Sequence, residues 1–106
     1  MANYQTIYAL SSGSLPSAIA VVRISGPSTQ KALKLLINKV PEPRKMVLTE
    51  IKTLEKEIID ISLICFFPST QSITGEDLAE FHVHGSVAVV EGLCLTLAAI
   101  SDVRPA

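Results

Sequence analysis

Hydrophobic residues recur along the chain with a spacing that changes from near-continuous to helical and back. The segment Thr6–Leu10 (T-I-Y-A-L) is short and rich in β-formers, which predicts a strand. Ser11–Ser17 is a polar loop holding Gly13 and Pro16. Ala18–Ser25 is an apolar run of strand length broken only by Arg23, and a run of that kind predicts a strand covered on both faces. Gly26-Pro27-Ser28 punctuates the chain, with Pro27 suited to the first turn of a helix. Ala32, Leu33, Leu35, Leu36 and Ile37 then form a helical stripe with Lys31, Lys34 and Lys39 outside it, and Pro41-Glu42-Pro43 is the expected stop.

Beyond the prolines, Met46–Ile51 alternates as a strand does, and Glu55-Lys56-Glu57 marks a charged turn. Ile58–Phe67 is the strongest strand signal in the chain. The loop Pro68–Asp77 is long for a compact domain, and such loops are often functional. Leu78–His84 reads as another strand. Ser86 is placed to cap a helix over Val87–Ile100, apolar all round save Glu91, Gly92 and Thr96. Such a helix is expected to be central or packed on another subunit. Strands on both sides of two main helices predict an α+β domain with a mixed, mostly antiparallel sheet.

Composition narrows the class. The 106 residues amount to one domain, 1–106, with 48% hydrophobic and 18% charged residues, which excludes an intrinsically disordered chain. A net charge of −1 leaves no general basic field for a phosphate backbone. Cys65 and Cys94 lie in apolar runs without a C-x-x-C pattern and read as two buried thiols. No basic region or cleavage site frames the apolar Tyr4–Leu10 segment as a signal peptide. The apolar stretch Val87–Ile100 contains Glu91 and falls short of the ~20 residues of a membrane span. A soluble, cytoplasmic protein without membrane association is the expectation.

Two charges stand out. Seven of the nine basic residues fall between Lys31 and Lys56, a distribution that a solvated face explains. Arg23, by contrast, sits among Val21, Val22 and Ile24, with no carboxylate before Glu42. A guanidinium in a buried strand cannot shed its proton, so it needs a partner, a bound anion or an outlet to water, and Glu76, Asp77 and Glu80 are the nearest candidates. Glu80 shares a strand face with His82 and His84, opposite Ala79, Phe81 and Val83. That face has three readings: simply wet, an E-x-H-x-H metal row, or a carboxylate receiving paired N–H donors from a heterocyclic ligand. No Gly is followed by Lys, which excludes a P-loop, and no G-x-G-x-x-G or G-x-S-x-G occurs. No catalytic residue and no metal ligand is assigned.

The blocks Thr6-Ile7, A-I-A-V-V-R-I-S-G (18–26), F-P (67–68), T-G-E-D (74–77) and E-x-x-x-H-G (80–85) resemble, in order and spacing, the N-terminal domain of the MnmE/TrmE tRNA modification GTPases. That domain is similar to the tetrahydrofolate-binding domain of aminomethyltransferases. The resemblance implies a domain that binds 5-formyltetrahydrofolate and forms a homodimer, with the family's folate-contacting Arg and Glu falling on Arg23 and Glu80. It implies for the intact protein a GTP hydrolase that modifies carbon 5 of the wobble uridine of certain tRNAs with an FAD-dependent MnmG/GidA-type partner. GTP, Mg and K then belong to a GTPase domain outside this chain, which is expected to be a non-catalytic N-terminal fragment. The competing expectation is a structural dimerisation module with no ligand of its own.

Overall fold

Three of the predicted strands have the bounds the pattern gives them: β1 Thr6–Leu10, β4 Ile58–Phe67 and β5 Leu78–His84. The computed structural model describes residues 5–106, so residues 1–4 of the expected 1–106 unit, Tyr4 among them, lie outside the described residues. Between and after these strands come β2 Ile19–Ser25, α1 Thr29–Ile37, β3 Val47–Lys52 and α2 Val87–Ala98. A short β6, Val103–Pro105, closes the set. The sheet runs β3-β4-β5-β2-β1-β6, and every neighbouring pair is antiparallel except β1 with β6. The domain is therefore α+β with a mixed, mostly antiparallel sheet and two helices, as the pattern predicts.

Period-two alternation sends Ala20, Val22 and Ile24 of β2, Ile64 and Phe66 of β4, and Ala79, Phe81 and Val83 of β5 to one side. There they form a single core with Ala32, Leu33 and Leu36 of α1 and Val90, Leu93 and Leu97 of α2. Both helices thus cover the same face. The other face is open, which corrects the expectation for β2: Ile19 and Arg23 are exposed, and only one side of that strand is covered. The apolar run at 18–25 misled because its open-face residues Ile19 and Val21 are as hydrophobic as its core residues. α2 is likewise not central. One side packs on the sheet while Val87 and Leu95 are exposed, Leu95 at 72%.

The helix ends also differ in detail. Pro27 precedes the N-cap Ser28 rather than occupying the first turn of α1, and Ser28 donates its backbone N–H to Thr6 Oγ1 at 2.7 Å. α1 stops at Asn38, whose φ of 65° turns the chain before the prolines are reached. Ser86 caps α2 as predicted, its Oγ accepting the Val89 N–H at 3.1 Å. Gly26 leaves β2 at φ +139°, and a Cβ there would lie 2.6 Å from Thr6 Cα. The last residue of R-I-S-G is accordingly fixed by close approach of the backbone of β1.

Candidate functional site on the open face

Strand register lines up the open face in rows. Glu80 lies directly opposite Arg23 on one side and Cys65 on the other, while His82 lies between Val21 and Leu63. Arg23 and Glu80 meet: Arg23 Nε donates to Glu80 Oε2 at 2.8 Å, and His82 Nε2 is 3.0 Å from Glu80 Oε1. The Glu80 side chain is only 16% exposed and that of Arg23 44%. The two charges that the sequence left unexplained are therefore each other's partners across β2 and β5. Glu76 and Asp77 do not compete for Arg23. Asp77 instead braces the long loop, accepting the Ser69 N–H at 2.9 Å and Gln30 Nε2 at 3.0 Å.

Three forces act on the Glu80 carboxyl. Burial pushes its pKa up, but the hydrogen bonds from His82 and Arg23 and their charges outweigh it and hold the group below its ordinary value. A second carboxyl behaves alike. Asp60 is pushed up by burial and drawn down further by hydrogen bonds from Ser62 Oγ at 2.6 Å and from the backbone N–H of His84 at 2.9 Å, with His84 Nδ1 at 2.8 Å. A carboxyl depressed in the fold stabilises it fully above the unfolded range near ~4 and stops doing so as pH falls through the folded value. The melting temperature is expected to fall as pH drops from about 5 towards 3. The fall should be shallower in a Glu80→Gln, Asp60→Asn variant; equal slopes for variant and parent would contradict the assignment.

Beside the Arg23–Glu80 pair opens a cavity of about 360 Å³. Its apolar wall is Phe67, Ile73 and Leu78, and Arg44 and Gln71 line it as well. A smaller hollow of about 170 Å³ adjoins it through Arg23, Ile73 and Leu78 and reaches Ile7 and Thr74. The loop 68–77 forms this rim, held to β2 by the 2.9 Å contact of Ser25 Oγ with Thr74 Oγ1. Concave, largely apolar sites of ~300–1,000 Å³ with a few converging polar groups suit small ligands.

The polar groups retain capacity. Glu80 offers about four lone-pair sites, of which Arg23 and His82 take two. Arg23 uses only Nε, and its terminal nitrogens form no side-chain hydrogen bond among the described residues. A planar heterocycle presenting adjacent N–H donors fits this set. The E-x-H-x-H row is divided instead: His82 turns to Glu80 and His84 to Asp60. Among the described residues no group of three or more His, Cys, Asp or Glu is placed to hold a metal ion.

Sequence reading singled out Arg23 and Glu80 but missed Arg44 and the apolar wall. Of the two thiols, Cys65 is buried beside Glu80 whereas Cys94 is half-buried, which corrects the expectation that both are buried. Among the described residues no helix is long and apolar enough to cross a membrane.

Residues 6–106 match the family described as the N-terminus of the GTP-binding protein TrmE. The chain is 46% identical over 104 residues to a tRNA modification GTPase MnmE of Rhodopseudomonas palustris (strain HaA2), a match covering 98% of this chain and 23% of that protein. It is 47% identical over 101 residues to the protein of that name in Brucella canis, covering 95% and 23%. Against the one in Rhizobium meliloti it is 46% identical over 106 residues, covering 100% and 24%. The chain spans about a quarter of the length of these curated relatives.

Proposed function

Since the chain belongs to the TrmE N-terminal family, we propose that it is a folate-binding and homodimerisation domain of a GTPase acting in tRNA modification. Its ligand is 5-formyltetrahydrofolate, and its contribution is binding and assembly rather than catalysis. The observation that carries this reading is the Arg23–Glu80 pair at the edge of an apolar cavity. Glu80 accepts N–H donors of the pterin ring through the lone pairs that Arg23 and His82 leave open. The terminal nitrogens of Arg23 donate to a polar ring substituent, and Phe67, Ile73 and Leu78 take the ring faces. When bound, the folate supplies a one-carbon unit; the residues of this chain orient it.

The intact protein hydrolyses GTP in a domain outside this chain, where Mg and K belong, and works in the cytoplasm with tRNA and an FAD-dependent MnmG/GidA-type protein. Homodimerisation is supported by apolar side chains left open on both faces, Ile19, Leu48 and Ile61 on the sheet and Val87 and Leu95 on α2. Calorimetric titration of 5-formyltetrahydrofolate is expected to give saturable binding of one molecule per chain. No binding would leave the domain as an assembly module alone. Sedimentation at micromolar concentration is expected to show a dimer, and a monomer at high micromolar concentration would remove the assembly role.

A further inference from the structure

The geometry points to Arg44 as a third binding residue of the cavity, the one that receives the anionic end of its ligand. The inference rests on the folate reading above and assigns the glutamyl carboxylates of that ligand to Arg44 rather than to Arg23.

Three observations place it there. The first is charge. In the cavity Arg23 is neutralised by Glu80, and the nearby Glu42 is taken by Lys45 at 2.7 Å, whereas the Arg44 guanidinium forms no ion pair or side-chain hydrogen bond among the described residues. The cavity thus holds two guanidinium groups against one carboxylate, and the uncompensated one is exposed to solvent. The second is backbone. Arg44 is held at φ 64°, a left-handed conformation that costs energy for a residue with a side chain and persists only where the surroundings enforce it. What enforces it is the bridge of Pro43 to Phe66 and the Arg44 N–H donated to Phe66 O at 2.8 Å. These bonds tie the segment to the strand that also carries Phe67 of the apolar wall.

The third is proximity. Arg44 lines the same cavity as Arg23 and Glu80, and its charge partly offsets the burial and the Glu80 charge that push the Cys65 thiol up. An exposed guanidinium with free fork-like donors matches a carboxylate bidentately. The ligand is then read in two parts: an uncharged ring at Glu80 and a carboxylate-bearing tail at Arg44.

The test compares two probes on the full chain: 5-formyltetrahydrofolate, and a 5-formyl-tetrahydropterin that lacks the aminobenzoyl-glutamate tail. Arg44→Ala is expected to weaken folate binding about 10–100-fold and leave the tail-less pterin unchanged. The parent's preference for folate should shrink between about 50 and about 500 mM salt, and Arg44→Lys should keep part of it. The far-UV spectrum of Arg44→Ala should match the parent, because the bonds that hold the segment are backbone ones. Folate binding unchanged in Arg44→Ala, or both probes weakened equally, would overturn the assignment while leaving the folate reading in place. A parent chain that binds neither probe would remove both.

Discussion

Replacing Glu80 by alanine is expected to lower the affinity for 5-formyltetrahydrofolate by about 100-fold or more. In the proposed site the carboxylate supplies two acceptor positions to the ring, each worth about 1.5–3 kcal/mol as a charge-assisted hydrogen bond, and every 1.4 kcal/mol is about tenfold. The variant also frees Arg23 and His82 from the group that orients them, at 2.8 and 3.0 Å. Arg23→Ala is expected to cost less, about 10-fold, because Glu80 keeps its hydrogen bond to His82. Glu80→Gln separates charge from shape. It preserves one acceptor oxygen and should fall between parent and alanine in calorimetry. If Glu80→Ala binds as tightly as the parent while folding normally, the carboxylate is not a ligand contact and the proposed site is wrong.

The second large effect lies one residue along. Phe81 is fully buried in β5 between Val22 of β2 and Ile64 of β4, at the centre of the layer on which both helices rest. Phe81→Ala is expected to destabilise the domain by about 3–5 kcal/mol, the usual cost of deleting a core ring and leaving a partly relaxed void. Against a total of ~5–15 kcal/mol, that loss should lower the melting temperature by roughly 15 °C or more. Lys34→Ala, at an exposed position of α1, should change stability by less than about 0.5 kcal/mol. Comparable effects of the two substitutions in urea unfolding would show that the core is not where the burial pattern puts it.

Much of this was legible in the residues, for physical reasons that also explain the failures. β1 and β4 are dense in β-branched and aromatic residues, β5 alternates apolar core positions with polar ones, and the three give way to Ser11-Ser12, Pro68 and Gly85, so local preference and tertiary pairing agree. β6 escaped notice because three residues that include Pro105 carry no local strand signal. They are strand only through parallel pairing with Thr6, Ile7 and Tyr8, at an edge where a missing N–H is tolerated. Arg23 and Glu80 were recognisable because a charge in an apolar context demands a partner. Arg44 was not, because it stands among Pro43, Lys45 and Glu42, where one more charge looks ordinary. Its role depends on Phe66, far along the chain, and on a dihedral angle that no spacing rule encodes.

The pairing of β2 with β5 has a kinetic meaning. Arg23 and Glu80 are 57 residues apart, and their strands are the seam between the β3–β4 hairpin on one side and β1 with β6 on the other. Neither half-sheet contains both groups, so the entropy of closing that long intervening loop must be met before the pocket exists at all. A chain in which β2 and β5 have not yet paired therefore holds neither the Arg23–Glu80 contact nor the cavity beside it.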